Sequence, residues 1–378
     1  MHTPDDHSNG PVHGAGAAFV KNLYAGRRAW KIAMVPVSTS DMSKPKRSRA
    51  ASRSAAAVTM ADLAKLAGVS KITVSRALSE NGIVNARTRE KVRALAEKHG
   101  YRFNVSARNL RLRQSHTIAV IVEMRPSIDR PMSDPYPLEL LGGIAQELAT
   151  ADYSVLLTAR HGALSPAVQG ADAVILLGQG AKQQAVHVFD RLRLPMVVWG
   201  APSPGDRHIV VGSDNRAGGA AVAERFVALG RRHPVFLGDV DHPEMAERYA
   251  GFSDFLKLRG ISAALVTCKP FTVESGIRAA QALVQKKTRV DAIFACNDLL
   301  AMGAIRTLIE MGHRVPKDIS VVGYDDIPLG AAFIPPLSSV HQNWHEGGML
   351  LARKALALFR GERVHSETLP SRLVLRAT

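Results

Sequence analysis

The run Gly68–Leu78, GVSKITVSRAL, sets three hydroxyls (Ser70, Thr73, Ser75) and two cations (Lys71, Arg76) around a small apolar stripe. That is the chemistry a DNA groove asks for. A lysine donates to guanine O6 and N7, and an isoleucine such as Ile72 offers apolar contact, for instance to a thymine methyl. Hydroxyls and guanidinium groups bond phosphate oxygens. An ordinary surface helix would show a similar polar face, so the elements around the run have to decide between the two.

Other chemistries are poorly supplied. The motifs GxxxxGK[ST], HExxH, GxSxG and GxGxxG are absent, and GQGAKQ (Gly178–Gln183) starts like a dinucleotide fingerprint but lacks its final glycine. The pair Asp325–Asp326 could do acid/base work, but no nucleophile or metal set accompanies it. Cys268 and Cys296 each stand alone in an apolar segment, which disfavours a disulfide or a CxxC metal site and suits a reducing compartment. No catalytic residue, metal or cofactor is expected.

The elements that must position the run can be read on either side of it. Thr59 with Asp62 fits a capping box opening a short helix with Leu63, Ala64 and Ala67 on one side. Gly68 supplies a turn, and Ser70 can cap a second helix whose Val74, Ala77 and Leu78 face inward. Asn85 or Thr88 starts a third, with Val92, Leu95 and Ala96 inward and Gly100 ending it. Three short helices around one small core make a helix-turn-helix domain.

After Ser115 the pattern changes to β-branched runs alternating with helical segments. TIAVIVE, SVLLTAR, AVILLG, MVVWG, PVFLGD, DAIFACND and SVVGYDD read as buried parallel strands. Between them lie helix patterns at 138–150, 217–229, 245–259, 274–285 and 299–311. This alternation predicts doubly wound sheets with ligands at the carboxyl ends of strands. About eleven strands would crowd one sheet, so two lobes with a cleft are expected.

The 378 residues are 46% apolar with mean hydropathy −0.02, long enough for two or three units. The formal charge of +16 is unevenly placed. Residues 1–57 hold 9 Lys/Arg against 3 Asp/Glu and residues 58–115 hold 12 against 4, which leaves 28 against 26 for the remainder. A nearly neutral body thus carries a basic front end suited to a polyanion. Residues 1–57, rich in Gly, Ala, Ser and Pro around KPKRSR, are expected to be disordered. No apolar run reaches the roughly 20 residues of a membrane span. The first residues lack a secretory layout, so a cytoplasmic, nucleoid-associated protein is expected.

The stretch TMADLAKLAGVSKITVSRALSENGIVNARTREKVRALAEKHGYRFN resembles the DNA-binding signature of the lactose-repressor (LacI/GalR) family. NVSARNL resembles that family's hinge helix. GSDNRAGG, ACNDLLAMGAI, ISVVGYDDIP and PPLSSVHQ resemble its effector-domain landmarks, in the right order. Phe103 departs from the pattern, where proline is common, and HGALSPAVQGAD is shorter than the usual connection.

The resemblance implies an N-terminal all-α helix-turn-helix domain at 58–103, a hinge helix and linker at 104–115, and a periplasmic-binding-protein-like α/β core at 116–378. The core's first lobe would span about 116–227 plus 341–363, and its second about 228–340 plus the C-terminal end. It further implies a homodimeric repressor of sugar-utilisation genes on a pseudo-palindromic double-stranded operator, governed by a small sugar-like effector. The alternative is a sugar-binding or sugar-processing protein with a non-functional reader.

By the same resemblance Lys71 and Ile72 would face base edges, with Thr59, Ser70, Thr73, Ser75 and Arg76 as further DNA contacts. In the hinge, Asn104 would cap the helix, Ala107 would allow close approach of two copies, and Arg108 would lie near phosphates. Leu110 would wedge open the central base step from the minor groove. For the effector, Arg248 and Asp325 would oppose each other across the cleft. Asn297, Asp298 and Gln342 would add polar contacts, and Tyr136, Phe271 and Trp344 aromatic walls. Replacing Leu110 by alanine should weaken operator binding far more than nonspecific binding. Equal losses in a side-by-side titration would remove the wedge.

Overall fold

The computed structural model describes residues 58–78, 83–101, 114–124, 133–162 and 164–378. They fall in two units divided after residue 102. The tail at 1–57 and the hinge residues Asn104, Ala107, Arg108 and Leu110 lie outside the described residues.

The first unit contains α1 (Met60–Ala67), α2 (Lys71–Leu78) and α3 (Ala86–Lys98). Each begins where a side chain satisfies its open backbone donors. Thr59 and Asp62 form the capping box, Ser70 Oγ accepts from Thr73 N at 3.1 Å, and Asn85 Oδ1 accepts from Arg87 N at 2.9 Å. Gly68 turns the chain from α1 towards α2 at φ 68°, a left-handed conformation that costs glycine no Cβ clash. Leu63, Ala67, Val74, Ala77, Val92 and Ala96 meet in the middle, as their helical spacing predicts.

The second unit opens with β1 (Thr117–Val122), α4 (Pro135–Thr150), β2 (Ser154–Ala159), α5 (Pro166–Gln169), β3 (Ala173–Leu177), α6 (Gln184–Phe189), β4 (Met196–Trp199) and β5 (Ile209–Ser213). There follow α7 (Asn215–Ala228), β6 (Pro234–Gly238), α8 (Pro243–Lys257), β7 (Ala264–Thr267), α9 (Val273–Gln285), β8 (Ala292–Ala295), α10 (Asp298–Glu310), β9 (Ser320–Asp325) and α11 (Pro328–Ala331). The chain finishes with β10 (Ser338–His341), α12 (Trp344–Phe359), β11 (Glu367–Leu369) and β12 (Arg372–Val374).

These strands build two six-stranded sheets, ordered β11-β5-β4-β3-β1-β2 and β12-β10-β9-β8-β6-β7. Every pairing is parallel except β10 with β12. Central strands such as β1, β3 and β6 bury nearly every residue because helices cover both faces, hence their unbroken apolar runs. The two doubly wound lobes expected from the βαβ alternation are present.

The chain crosses between lobes three times, after β5, after β10 and after β11. This corrects the lobe boundary expected near residue 227. Helix α7 packs on α8 of the second lobe, with Phe226 edge-on to Phe252 at 6.0 Å, so the first crossing lies at Asp214. Residues 367–369 also return to the first sheet beyond the expected limit of 363, because β11 covers the open edge of β5.

Helices α4 and α12 cross at closest range. A Cβ on Gly143 would run into the carbonyl of His345, and one on Gly348 into the carbonyl of Leu140. Helices α7 and α8 repeat the device with Gly219 and Gly251. The neighbouring Gly142 is exposed, and its Cβ would meet only His345 Nδ1 at 3.8 Å. Gly142→Ala should therefore stabilise the protein by about 0.5–1 kcal/mol through helix propensity. Gly143→Ala, one residue on, should cost about 1–3 kcal/mol through overpacking. Denaturant unfolding would measure both, and equal effects would refute the close crossing.

Candidate DNA-contacting helix and ligand cleft

In the three-helix unit, Lys71 and Ile72 stand at the first turn of α2, both exposed. Ile72 is 62% exposed, an apolar side chain that the described residues of its own unit leave uncovered. Arg76 is exposed one turn on, and Thr73 and Ser75 are half-buried. The Ser70 and Thr73 hydroxyls bond each other at 2.9 Å while Ser70 caps the helix. Thr59, a further expected DNA contact, stands at the N-cap of α1. Its hydroxyl donates to Asp62 Oδ2 at 2.6 Å and accepts from Asp62 N, so it is engaged in the cap. The same bonds hold the Asp62 carboxyl below the usual range.

A cleft of about 920 Å³ of empty space, open solvent included, lies between the lobes. Its walls come from the carboxyl ends of strands in both sheets. Glu123 follows β1, Gly178–Gly180 follow β3, His242 and Glu244 follow β6, and Asn297 follows β8. Strand order reverses between β1 and β3 and again between β6 and β8, where parallel sheets leave crevices.

All eight residues expected to hold the effector line this one cleft. Three form aromatic walls: Tyr136 meets Trp344 edge-on at 5.7 Å, and Phe271 lies against His242 at 5.1 Å. Gln342 stands at the second crossing and donates from Nε2 to Asp325 Oδ1 at 2.7 Å.

Arg248 and Asp325 do not oppose each other across the cleft. Both belong to the second lobe, on α8 and at the end of β9, and lie side by side with Nη1 3.9 Å from Oδ1. Arg248 is 4% exposed. It donates from Nε to Asn215 Oδ1 at 2.8 Å and from Nη1 to the Cys296 carbonyl at 2.5 Å, and its guanidinium lies 3.7 Å over the Tyr324 ring. Both residues belong to the second lobe, so they build one continuous wall.

Asn297 and Asp298 also turn much of their polarity into the framework. Asn297 caps α10 and donates from Nδ2 to the Phe271 carbonyl at 3.2 Å, which holds the aromatic wall. Asp298 Oδ1 accepts from Ser339 Oγ at 2.6 Å and Oδ2 from Ile327 N at 2.8 Å. Burial raises the Asp298 carboxyl well above the usual range, and Asp325 reinforces this.

Residues that the motifs missed line the same cleft. Glu123, Asp134, Gln179, His242 and Glu244 are among them, each just past a strand end or at a helix start. Their position at parallel-strand termini was the available signal, already contained in the quoted run TIAVIVE and in GQGAKQ. Asp134 caps α4 by accepting from Tyr136 N at 3.1 Å. Arg160 donates to Glu123 Oε1 at 2.9 Å from the short connection after β2, which holds a single 3₁₀ turn before α5. Burial pushes the Glu244 carboxyl up, Glu123 adds to this, and Arg248 and His242 oppose it.

Among the described residues no group of three or more His, Cys, Asp or Glu could hold a metal ion, and no helix is long and apolar enough to cross a membrane.

The raised Asp298 carboxyl gives a test with a sign. A folded-state value above the unfolded one contributes stability below the ordinary carboxylate range, and that stability is lost as pH rises through the folded value. Asp298→Asn keeps an acceptor for Ile327 N–H and should flatten this pH dependence. Asp298→Ala strands the Ile327 N–H and the Ser339 hydroxyl and should cost about 1–3 kcal/mol for each. Thermal unfolding across pH 4–9 separates the two variants, and an unchanged profile in Asp298→Asn would exclude Asp298 as its source.

Residues 59–104 match the model of bacterial regulatory proteins, lacI family, and residues 223–378 that of a periplasmic binding protein-like domain. The chain is 32% identical over 329 residues to the HTH-type transcriptional regulator CelR of Thermobifida fusca, covering 84% of this chain and 95% of that one. A lac repressor dimer bound to operator and the anti-inducer ONPF superposes with TM-score 0.74 at 26% identity, covering 85% of this chain and 98% of the other. A CelR–cellobiose complex superposes with TM-score 0.63 at 28% identity, covering 85% and 99%.

Proposed function

This chain belongs to the lacI family of bacterial regulatory proteins, and from that premise we propose that it is a sequence-specific DNA-binding repressor of sugar-utilisation genes, released from its operator by a sugar bound in the cleft. One observation carries the reading: the eight side chains picked from sequence as effector contacts converge on a single two-lobed cleft, in a chain that also holds a three-helix head with Lys71 and Ile72 exposed. The relatives are regulators, which supports this reading over that of an enzyme.

In this reading the head spans residues 58–103 and the hinge helix and linker 104–115. Lys71 and Ile72 read base edges, Arg76 and the hydroxyls of Ser70, Thr73 and Ser75 position the head on phosphates, and Leu110 acts in the minor groove of the operator centre. The protein works as a homodimer in the cytoplasm, one head per half-site. The CelR complex contains cellobiose, which makes β-linked disaccharides the first effectors to try.

Coupling follows from where the linker is held. Ser115 N and Oγ donate to Asp172 Oδ1 at 2.6 and 3.0 Å, and His116 N to Oδ2 at 2.9 Å. This buried carboxylate fixes the linker to the first lobe. When ligand draws the lobes together, the first lobe turns on its three crossings and takes the linker with it. In a dimer that changes the spacing of two hinge segments too short to be stable helices alone.

The test is footprinting of the protein's own upstream region, followed by anisotropy titrations with and without sugars. Protection of a palindrome of roughly 16–20 base pairs is expected, and Lys71→Ala should lose about 1–3 kcal/mol of discrimination between bases. Equal affinity for specific and random duplex, or an affinity that no sugar changes, would overturn the proposal.

A further inference from the structure

A second cavity lies at the other end of the second lobe, at the amino ends of β8 and β9 where α9 and α10 stop. It holds about 610 Å³ of empty space, open solvent included. Leu283 and Val284 of α9, Leu308 of α10, Ile293 of β8, and the loop residues Val290 and Ile319 line it. The helix ends beside it bring no open carbonyl from these residues. Thr288 N donates to the Leu283 carbonyl at 3.1 Å, Lys287 N to that of Val284 at 3.0 Å and His313 N to that of Leu308 at 2.9 Å. An aliphatic floor of this kind suits an apolar body.

The mouth is basic. Lys287, Thr288 and His313 stand there. Lys286, Lys287 and Arg289 are exposed, and none of the three is in an ion pair among the described residues. The acids nearby in sequence are engaged elsewhere: Glu310 with Arg306, Asp318 with Arg314, and Asp291 with the N–H groups of Arg232 and His233. Lys287 is also held in an unfavourable conformation. Helices α7, α8, α10 and α12 run out on Gly230, Gly260, Gly312 and Gly361 at φ 72°, 68°, 87° and 77°. Helix α4 does so on Asp152, whose short side chain tolerates the left-handed region. Helix α9 instead ends on Lys287 at φ 51°, where glycine would carry no strain. A strained lysine at the rim of an apolar cavity points to work for its ammonium group.

We propose that this cavity is a second ligand site, separate from the cleft, which takes a compact amphiphilic carboxylate. Its aryl or short acyl body lies among Val284, Ile293, Leu308 and Ile319, and its carboxylate meets the Lys287 ammonium. A neutral apolar molecule would gain burial alone and an acidic polypeptide charge alone, whereas this ligand gains both. The chain's own basic segment at 1–57 carries the wrong charge to occupy it.

The test is a titration of the full-length protein, carrying labelled Ile, Leu and Val methyl groups, with hexanoate and benzoate and with the neutral hexanol and benzyl alcohol. Methyl NMR shifts should centre on Leu283, Val284, Ile293, Leu308 and Ile319, with the carboxylates bound more tightly than the alcohols. Lys287→Gln should weaken the carboxylates about twofold to fivefold and leave the alcohols unchanged. Val284→Trp fills the mouth and should abolish all four responses. Lys287→Gly should melt no lower than the parent, because glycine accepts that backbone conformation. Absence of shifts at these methyls, alcohols that bind as well as the acids, or equal losses of both in Lys287→Gln would overturn the proposal. A lower melting temperature for Lys287→Gly would assign the lysine to the fold and also overturn it. Displacement of bound benzoate by a hexaglutamate peptide at lower concentration would reassign the face to an acidic protein partner.

Discussion

A guanidinium shut away from water must find its partners in protein, and the second lobe is arranged around that demand. Arg248 reaches Asn215 at the first crossing between lobes and Cys296 at the end of β8, and stacks on Tyr324. Asp325 beside it takes the amide of Gln342 from the second crossing. Asp214, next to Asn215, donates its N–H to the Leu369 carbonyl, and Ser371 donates its hydroxyl to the Asp214 carbonyl, which brings in the third. One buried cation thus stands at the centre of a continuous bonded path through all three connections. Breaking such a pair from one side costs about 3–5 kcal/mol, because the surviving charge stays buried. The backbone at this node is itself under strain: Asp325 and Asp326 take φ values of 111° and 57°, which non-glycine residues avoid. Contacts of Asp326 with Ser339, His341 and Arg376 hold it there.

Around this node two helix pairs pack at close range. The glycine-lined crossings of α4 with α12 and of α7 with α8 bring main chain against main chain, leaving no side-chain layer to slide. The cleft residues sit where the three connections and the strand ends meet. Aromatic faces, buried acceptors and donors with no partner among the described residues meet in that place.

Much of this was legible in the residues. Helix caps at Thr59, Ser70 and Asn85, and the apolar spacing of Leu63, Val74 and Val92, gave the head because short helices depend on local signals. The unbroken runs of β1, β3, β6 and β8 gave the lobes because buried parallel strands have no polar face. Three of the four edge strands escaped notice for the opposite reason. The exposed β7, and the three-residue β11 and β12, carry too little apolar sequence to stand out. The fourth, β2, reads in SVLLTAR as a buried strand, but every residue of it is exposed or half-buried because it lies at the edge. The eight effector positions converged as the family pattern implied, but the pattern could not say which side chains point at one another. Arg248 and Asp325 proved to be neighbours, and the unbonded amide of Gln179 depends on tertiary packing that no spacing encodes.

Strands β11 and β12 are joined by only two residues, Pro370 and Ser371, yet one closes the edge of the first sheet and the other the edge of the second. The edge of each sheet therefore hangs on the same tract of eight residues, 367–374, and removing that tract would bare the backbone of β5 and of β10 together.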